Sequence, residues 1–210
     1  MSDQLVFYTN PMSRGRIIRW MLEEVGQPYE TRALEWATIK DPAYLAVNPM
    51  GKVPAVTHGD TIITECPAIC AYLADAFPQT NLAPPVGSKL RGDYYRWLFY
   101  AAGPLEAAVT VKSLGFEVSA DSKRMAGWGD FGDVMDTLEK ALTGREYLAG
   151  DSFTAADLYV GAHLGWGLQF GSIEDRQVFK DYAGRMAARP AAVRAREIDD
   201  ALIAAAQAPA

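Results

Sequence analysis

Three short stretches of the chain carry side chains that could do chemistry. The first, Tyr8 to Arg16 (YTNPMSRGR), sets polar groups at Thr9, Asn10 and Ser13 ahead of Arg14 and Arg16. It leaves an apolar run and leads into a helical pattern, where free N–H groups and the positive end of a helix dipole gather. Acids are the usual choice for such a first turn. Two arginines there add positive charge to positive potential, and the chemistry this suits is the holding of an anion. Ser13 equally fits a helix N-cap, and Asn10 with Pro11 a turn. The second stretch, Asn48 to Val56 (NPMGKVPAV), has Pro54 inside a β-rich run, where a trans proline would forfeit a ladder bond. A cis Val53–Pro54 bond would turn the Val53 N–H and C=O outward. The third, Thr64 to Leu73 (TECPAICAYL), opens a helix at Glu65 and Cys66. An acid there could accept an ammonium while the helix start binds a carboxylate.

The elements that must position these residues follow from hydrophobic spacing. Leu5 to Tyr8 reads as a buried strand, and Ile17, Ile18, Met21, Leu22 and Val25 mark one face of a helix that Gly26 and Pro28 stop. Tyr29 to Leu34 returns to extended character, which makes a βαβ unit with parallel strands. Asp41 to Asn48 is a short helix or turn. Val53 to Thr57 and Thr61 to Thr64 form a hairpin, and a helix with Ile69, Tyr72, Leu73 and Phe77 on one face follows. Residues 1–78 therefore read βαβ-ββα, residues 79–87 are a proline-rich linker, and residues 88–210 read as an all-helical bundle. In that second half Leu90 to Ala108 traces one long helix and Lys123 to Leu142 another. Thr154 and Asp157 make a capping box at the head of a buried helix that runs to about Phe170.

Composition narrows the function classes. The 210 residues are half apolar with 26 acids against 20 bases, which excludes a disordered or collagen-like chain and leaves no basic face for nucleic acid. Cys66 and Cys70, four apart on a helix, fit neither a disulfide framework nor a metal site and read as small buried side chains. His58 and His163 have no Cys, Asp or Glu at metal-ligand spacing, and Gly165, Gly167 and Gly171 read as close helix packing. No apolar run approaches the ~18 residues of a membrane span. Met1 to Gln4 lead directly into the strand pattern with no cationic leader, so a reducing, cytoplasmic setting is expected.

In this order, the hydroxyl-rich turn, NPMGKVPAV, TECPAICAYL and GDSFTAADLYVG resemble the glutathione S-transferase family over nearly the whole chain. The resemblance implies a thioredoxin-like domain followed by an all-α domain, glutathione as co-substrate, a small apolar electrophile as second substrate, and a homodimer. It assigns the cis-proline role to Pro54, the cysteinyl-backbone contact to Val53 and the γ-glutamyl contacts to Glu65 and Cys66, where a serine is usual in place of Cys66. Lys52 approaches the glycyl carboxylate and Arg14 supports the thiolate. The sulfur contact falls first on Ser13, then on Asn10, then on Thr9, with Tyr8 directed into the sheet. The electrophile is expected in the cleft between domains, with Tyr94, Trp97, Tyr100, Phe116, Trp166 and Phe170 as its aromatic stock, although ordinary core packing accounts for most of these. Two other outcomes fit the same site: a glutathione-dependent isomerase or peroxide or disulfide reductase, and a catalytically silent scaffold. The turn contains no cysteine, which argues against a mixed disulfide formed there by the protein.

Overall fold

Phe7, Leu5 and Val6 are buried because the first strand runs between two neighbours. In the computed structural model, which describes residues 3–207, β1 (Leu5–Thr9) pairs in parallel with β2 (Tyr29–Ala33) and antiparallel with β3 (Ala55–His58). β4 (Thr61–Thr64) closes a four-stranded sheet of order β2-β1-β3-β4. The hairpin loop has two residues, and Gly59 takes the positive φ of 57° that such loops demand. β2 is the charged edge: Glu30 and Arg32 face water and pair with each other at 2.7 Å. Met1, Ser2 and Ala208 to Ala210, at the ends of the two halves read from sequence, lie outside the described residues.

Helix α1 (Gly15–Val25) buries the apolar face expected of it and ends at Gly26, whose N–H returns to the Leu22 carbonyl at 2.9 Å. A short helix, α2 (Pro42–Leu45), precedes β3, and α3 (Cys66–Ala76) follows β4. This is the thioredoxin-like βαβ-ββα arrangement. Chain contacts group residues 3–82 with 189–207 and leave 83–188 as a second unit. Helical spacing alone keeps 88–210 together as one bundle. The difference lies in the last helix, α9 (Pro190–Gln207), which turns Ala191, Ala192 and Ala195 inward and lies on α1. A buried Arg19–Asp199 pair at 2.8 Å and a two-armed Arg189–Glu24 pair at 2.6 and 2.9 Å hold the two helices together.

The second unit is helical. The long helix expected from Leu90 is α4 (Leu90–Tyr100), one wide π-helical turn over Ala101–Leu105, and α5 (Glu106–Ser113). Pro104 sits in the wide turn, and a proline can neither donate the usual bond nor tolerate the carbonyl four residues back. The helix expected to start at Lys123 starts at Phe131 as α6 (Phe131–Leu142). Gly127 and Gly129 break the run, and Asp130 caps the new start by accepting the Asp133 N–H at 2.9 Å.

Helices α7 (Ala155–Gln169) and α8 (Gln177–Ala187) complete the unit. The capping box at α7 is present, and it does more than cap. The fully buried Asp157 carboxylate accepts the Thr154 N–H and hydroxyl, both at 2.8 Å, the Leu148 N–H at 2.7 Å and the Tyr182 hydroxyl at 2.6 Å. Of the three glycines read as packing sites, Gly167 is one: a methyl there would meet the Ile173 side chain at 2.3 Å. Gly165 faces open space, and Gly171 follows the end of α7. No helix of the described residues is long and apolar enough to cross a membrane.

Candidate functional site

Strand register brings the three stretches together. Tyr8 stands opposite Ala55, and Ala55 opposite Thr64. The antiparallel pairs therefore put the carboxyl end of β1, the amino end of β3 and the carboxyl end of β4 at one end of the sheet. The Thr9–Ser13 turn, the Val53–Pro54 bond and Glu65–Cys66 leave from that end. The starts of α1 and α3 touch there: the Cys66 thiol donates weakly to the Arg14 carbonyl, with Sγ···O 3.9 Å.

The two loops that cross this end are built alike, each from an Asn-Pro-Met triplet. Asn10 Oδ1 accepts the Met12 N–H at 2.9 Å and its carbonyl accepts the Ser13 N–H at 3.0 Å. Asn48 Oδ1 accepts the Met50 N–H at 3.1 Å and its carbonyl accepts the Gly51 N–H at 2.8 Å. Asparagine supplies this local closure because its side chain mimics a backbone carbonyl two residues early. Each also spends its amide on a neighbour. Asn10 Nδ2 donates to the Leu34 carbonyl at 2.9 Å, and Asn48 Nδ2 to the Lys52 carbonyl at 2.7 Å. The Tyr44 hydroxyl donates to that same Lys52 carbonyl at 2.6 Å, and burial pushes its pKa up to about 12, so it stays a neutral donor. The strap leading to Val53 is thus held from two sides. The Lys52 side chain itself is exposed.

The Val53–Pro54 peptide bond is cis. Among the described residues, Val53 N–H and C=O take part in none of the turn and loop backbone hydrogen bonds. Pro54 is buried and Val53 half-buried. Glu65, at the end of β4, has φ 66° and ψ 118°, a conformation that side chains other than glycine rarely adopt. Such a residue costs about 1–3 kcal/mol and persists where its surroundings require it, most often at binding sites. Its side chain is exposed, and Cys66 behind it is buried. Cys70, one turn on, is fully buried, which pushes its thiol pKa up and keeps it protonated.

At the first turn the three candidate sulfur contacts differ. The Ser13 hydroxyl donates to the Asn10 carbonyl at 2.6 Å and accepts the Gly15 N–H at 2.9 Å. The helix begins at Gly15 with Arg14 before it, so Ser13 closes the turn ahead of the cap rather than being the cap residue. The Asn10 side chain is committed to Met12 and Leu34. Thr9 is fully buried, and its hydroxyl has no hydrogen-bond partner among the described residues. That hydroxyl lies against Gly15, where a methyl group would come within 1.9 Å of it. Tyr8 is engaged away from the turn, with the Arg32 guanidinium 3.1 Å from its hydroxyl and the Tyr44 ring 5.8 Å from its own. Arg14 is exposed, and Arg16 donates through Nε to the Pro11 carbonyl at 2.7 Å.

Sequence reasoning missed Gly15, Tyr44 and α9. Only Gly15 left a signal, as a glycine where a helix former would be expected. Of the aromatic stock, Tyr94 and Trp97 are buried in the helical unit, and Tyr100 is half-buried with its hydroxyl donating to the Val134 carbonyl at 2.8 Å. They follow the inner face of the long helix and are core, while Phe116 and Phe170 stand exposed.

Comparisons with known proteins agree with this arrangement. Residues 7–81 match the glutathione S-transferase N-terminal domain and residues 129–190 the C-terminal domain. Glutathione S-transferase GST-4.5 of Xanthomonas campestris is 31% identical over 163 residues, 74% of this chain and 76% of that one. Glutathione S-transferase GstA of Escherichia coli O157:H7 is 32% identical over 163 residues, 77% of each. A sphingomonad glutathione S-transferase solved in complex with glutathione superposes with a TM-score of 0.76 at 31% identity, over 93% of this chain and 98% of the other. With both of its halves matched and the three stretches gathered at one end of the sheet, this chain belongs to the glutathione S-transferase family.

Proposed function

We propose that the chain conjugates glutathione to a small apolar electrophile. The observation that carries this reading is the meeting of the α1 and α3 starts beside the Val53–Pro54 edge. A tripeptide laid along that edge has a backbone partner in Val53, an acid at Glu65 for its amino group and the start of α3 at Cys66 for the adjoining carboxylate. Lys52 is the cation within the same strap for the glycyl end. Its cysteine side chain then reaches the Thr9–Ser13 turn.

The physical task is to ionise the thiol. A free thiol of pKa ~8.5 is only a few per cent thiolate at pH 7, and lowering that by about 2 units takes about 2.7 kcal/mol of preferential stabilisation of the anion. Ser13 carries one hydroxyl proton, which it donates to the Asn10 carbonyl. When a thiolate arrives, that proton turns from a neutral acceptor to a charged one. A hydrogen bond to a charged group contributes about 1.5–3 kcal/mol against about 1 for a neutral pair. The positive end of α1 and the Arg14 charge add to it. Asn10 holds the turn in place, and Thr9 packs beneath it. The thiolate then attacks the electrophilic carbon, the new C–S bond forms, and the leaving group departs with its electron pair.

The reading includes a cytoplasmic homodimer, since glutathione is kept reduced in that compartment. Light scattering should return twice the 22.9 kDa chain mass. Calorimetry tests the thiol chemistry: at pH 7 glutathione should bind with net proton release, and S-methylglutathione should bind without it. Equal proton release for the two ligands, or no binding of either, refutes the proposal.

A further inference from the structure

Helix α1 is charged against its own dipole. Arg16 and Arg19 sit in its opening turns and Glu23 and Glu24 in its last, whereas a helix prefers acids at its start and bases at its end. Helix α9 supplies the complement in reverse order: Arg189 and Arg194 meet Glu24 and Glu23, and Asp199 and Asp200 meet Arg19 and Arg16. The two helices therefore run antiparallel in one register, anchored where the Arg19–Asp199 pair is buried with both side chains 1% exposed. The last rung, Arg16–Asp200, reaches the turn that carries Ser13. Arg16 donates through Nη2 to the Asp200 carboxylate and through Nε to the Pro11 carbonyl, the latter at 2.7 Å. A guanidinium is planar with its donors in a fixed fork, so seating Nη2 on the carboxylate aims Nε. The Pro11–Met12 peptide is then held on both sides, its C=O by Arg16 and its N–H by Asn10 Oδ1 at 2.9 Å. Ser13 follows directly. Asp200 leaves more than half of its side chain in water, but the neighbouring Asp199 fixes its backbone through Arg19, which also donates to the Thr31 hydroxyl at 3.0 Å.

We infer that Asp200 is a positioning residue for Ser13, acting through Arg16 on the Pro11 carbonyl: α9 sets the turn at which the thiol is ionised, and Arg16 holds that turn rather than the ligand. The link to the reaction rests on the reading of Ser13 as the thiol's partner, while the hold on the turn is tested without glutathione. Amide hydrogen exchange, followed residue by residue by NMR, reads the turn in the intact protein. Asp200→Ala should speed exchange of the Met12, Ser13 and Gly15 N–H groups about tenfold, with α3 and the α7 capping box at wild-type rates. Arg16→Lys keeps the charge but loses the fork, and should do the same. Asp200→Asn keeps an oxygen acceptor for Nη2 and should restore most of the protection. Arg194→Gln opens an exposed rung at the other end of the helix pair and should leave the turn unchanged. In conjugation of chlorodinitrobenzene, Asp200→Ala and Arg16→Lys should lower kcat about tenfold and move KM for glutathione by less than about twofold, since the Val53 and Glu65 contacts are untouched. Turn exchange that ignores Asp200→Ala and Arg16→Lys, or that responds equally to Arg194→Gln, overturns the inference. Faster turn exchange with an unchanged kcat would leave the hold of α9 on the turn standing and refute Ser13 as the thiol's partner.

Discussion

Replacing Gly15 with alanine puts one methyl group between the end of β1 and the first turn of α1. An ideal Cβ there lies 1.9 Å from Thr9 Oγ1 and 3.1 Å from both Thr9 Cβ and Ser13 Oγ. The nearest of these is about 1.5 Å short of the 3.4 Å at which ordinary contact begins. Thr9 cannot retreat, because it is fully buried and its carbonyl is tied to the Leu34 N–H at 2.7 Å. The helix start must move instead, and Ser13 moves with it. Overpacking of this kind costs about 1–3 kcal/mol. At about 2–4 °C per kcal/mol for a chain of this size, the melting temperature should fall by roughly 2–12 °C. The activity loss should be larger in proportion, since a misplacement of ~1 Å at a reacting group can cost ~100-fold. Steady-state conjugation of chlorodinitrobenzene and scanning calorimetry, run on Gly15→Ala and on Thr9→Ala/Gly15→Ala, measure both. The double variant removes the closest clash and should recover most of the activity and stability. A Gly15→Ala protein with wild-type rate and melting temperature, or a double variant no better than the single, would show that the turn is not held by this contact.

Other outcomes follow from the same geometry. Glu65→Gly should leave the melting temperature unchanged or raise it, because glycine adopts φ 66° without strain, while weakening glutathione binding about tenfold or more through the lost acid. Stability and binding falling together would contradict a strained binding residue. Cys66→Ser should tighten glutathione about two- to tenfold in calorimetry, since a hydroxyl replaces a weak S–H donor at the start of α3. Asp157→Ala should lower the melting temperature by more than Gly15→Ala does, because it orphans four buried donors from three separate segments.

Most of the first unit was legible from spacing: the α1 face, the hairpin, and a proline inside a β run that called for a cis bond. The α7 capping box was legible because its partners lie three residues apart. The features that escaped depend on distant partners. Nothing in the alanine-rich helix around Asp199 and Asp200 points to Arg19, 180 residues earlier. The helix expected from Lys123 starts at Phe131 because Gly127 and Gly129 interrupt the pattern and Asp130 caps the new start. At the candidate site, residue types gave the position but not the direction of each group. Ser13 could cap, close a turn or face a ligand, and only the structure shows its hydroxyl aimed at the Asn10 carbonyl with Thr9 buried behind it.

Titration of the ultraviolet thiolate band of bound glutathione, in the wild type and in Ser13→Ala, tests most directly whether this turn ionises the sulfur. The wild-type complex should titrate about 2 units below the free thiol, and Ser13→Ala should move the midpoint back up by about 1 unit, the equivalent of one charged hydrogen bond. A bound thiol that titrates near ~8.5 in the wild type, or a midpoint that does not respond to the loss of the Ser13 hydroxyl, would contradict the account.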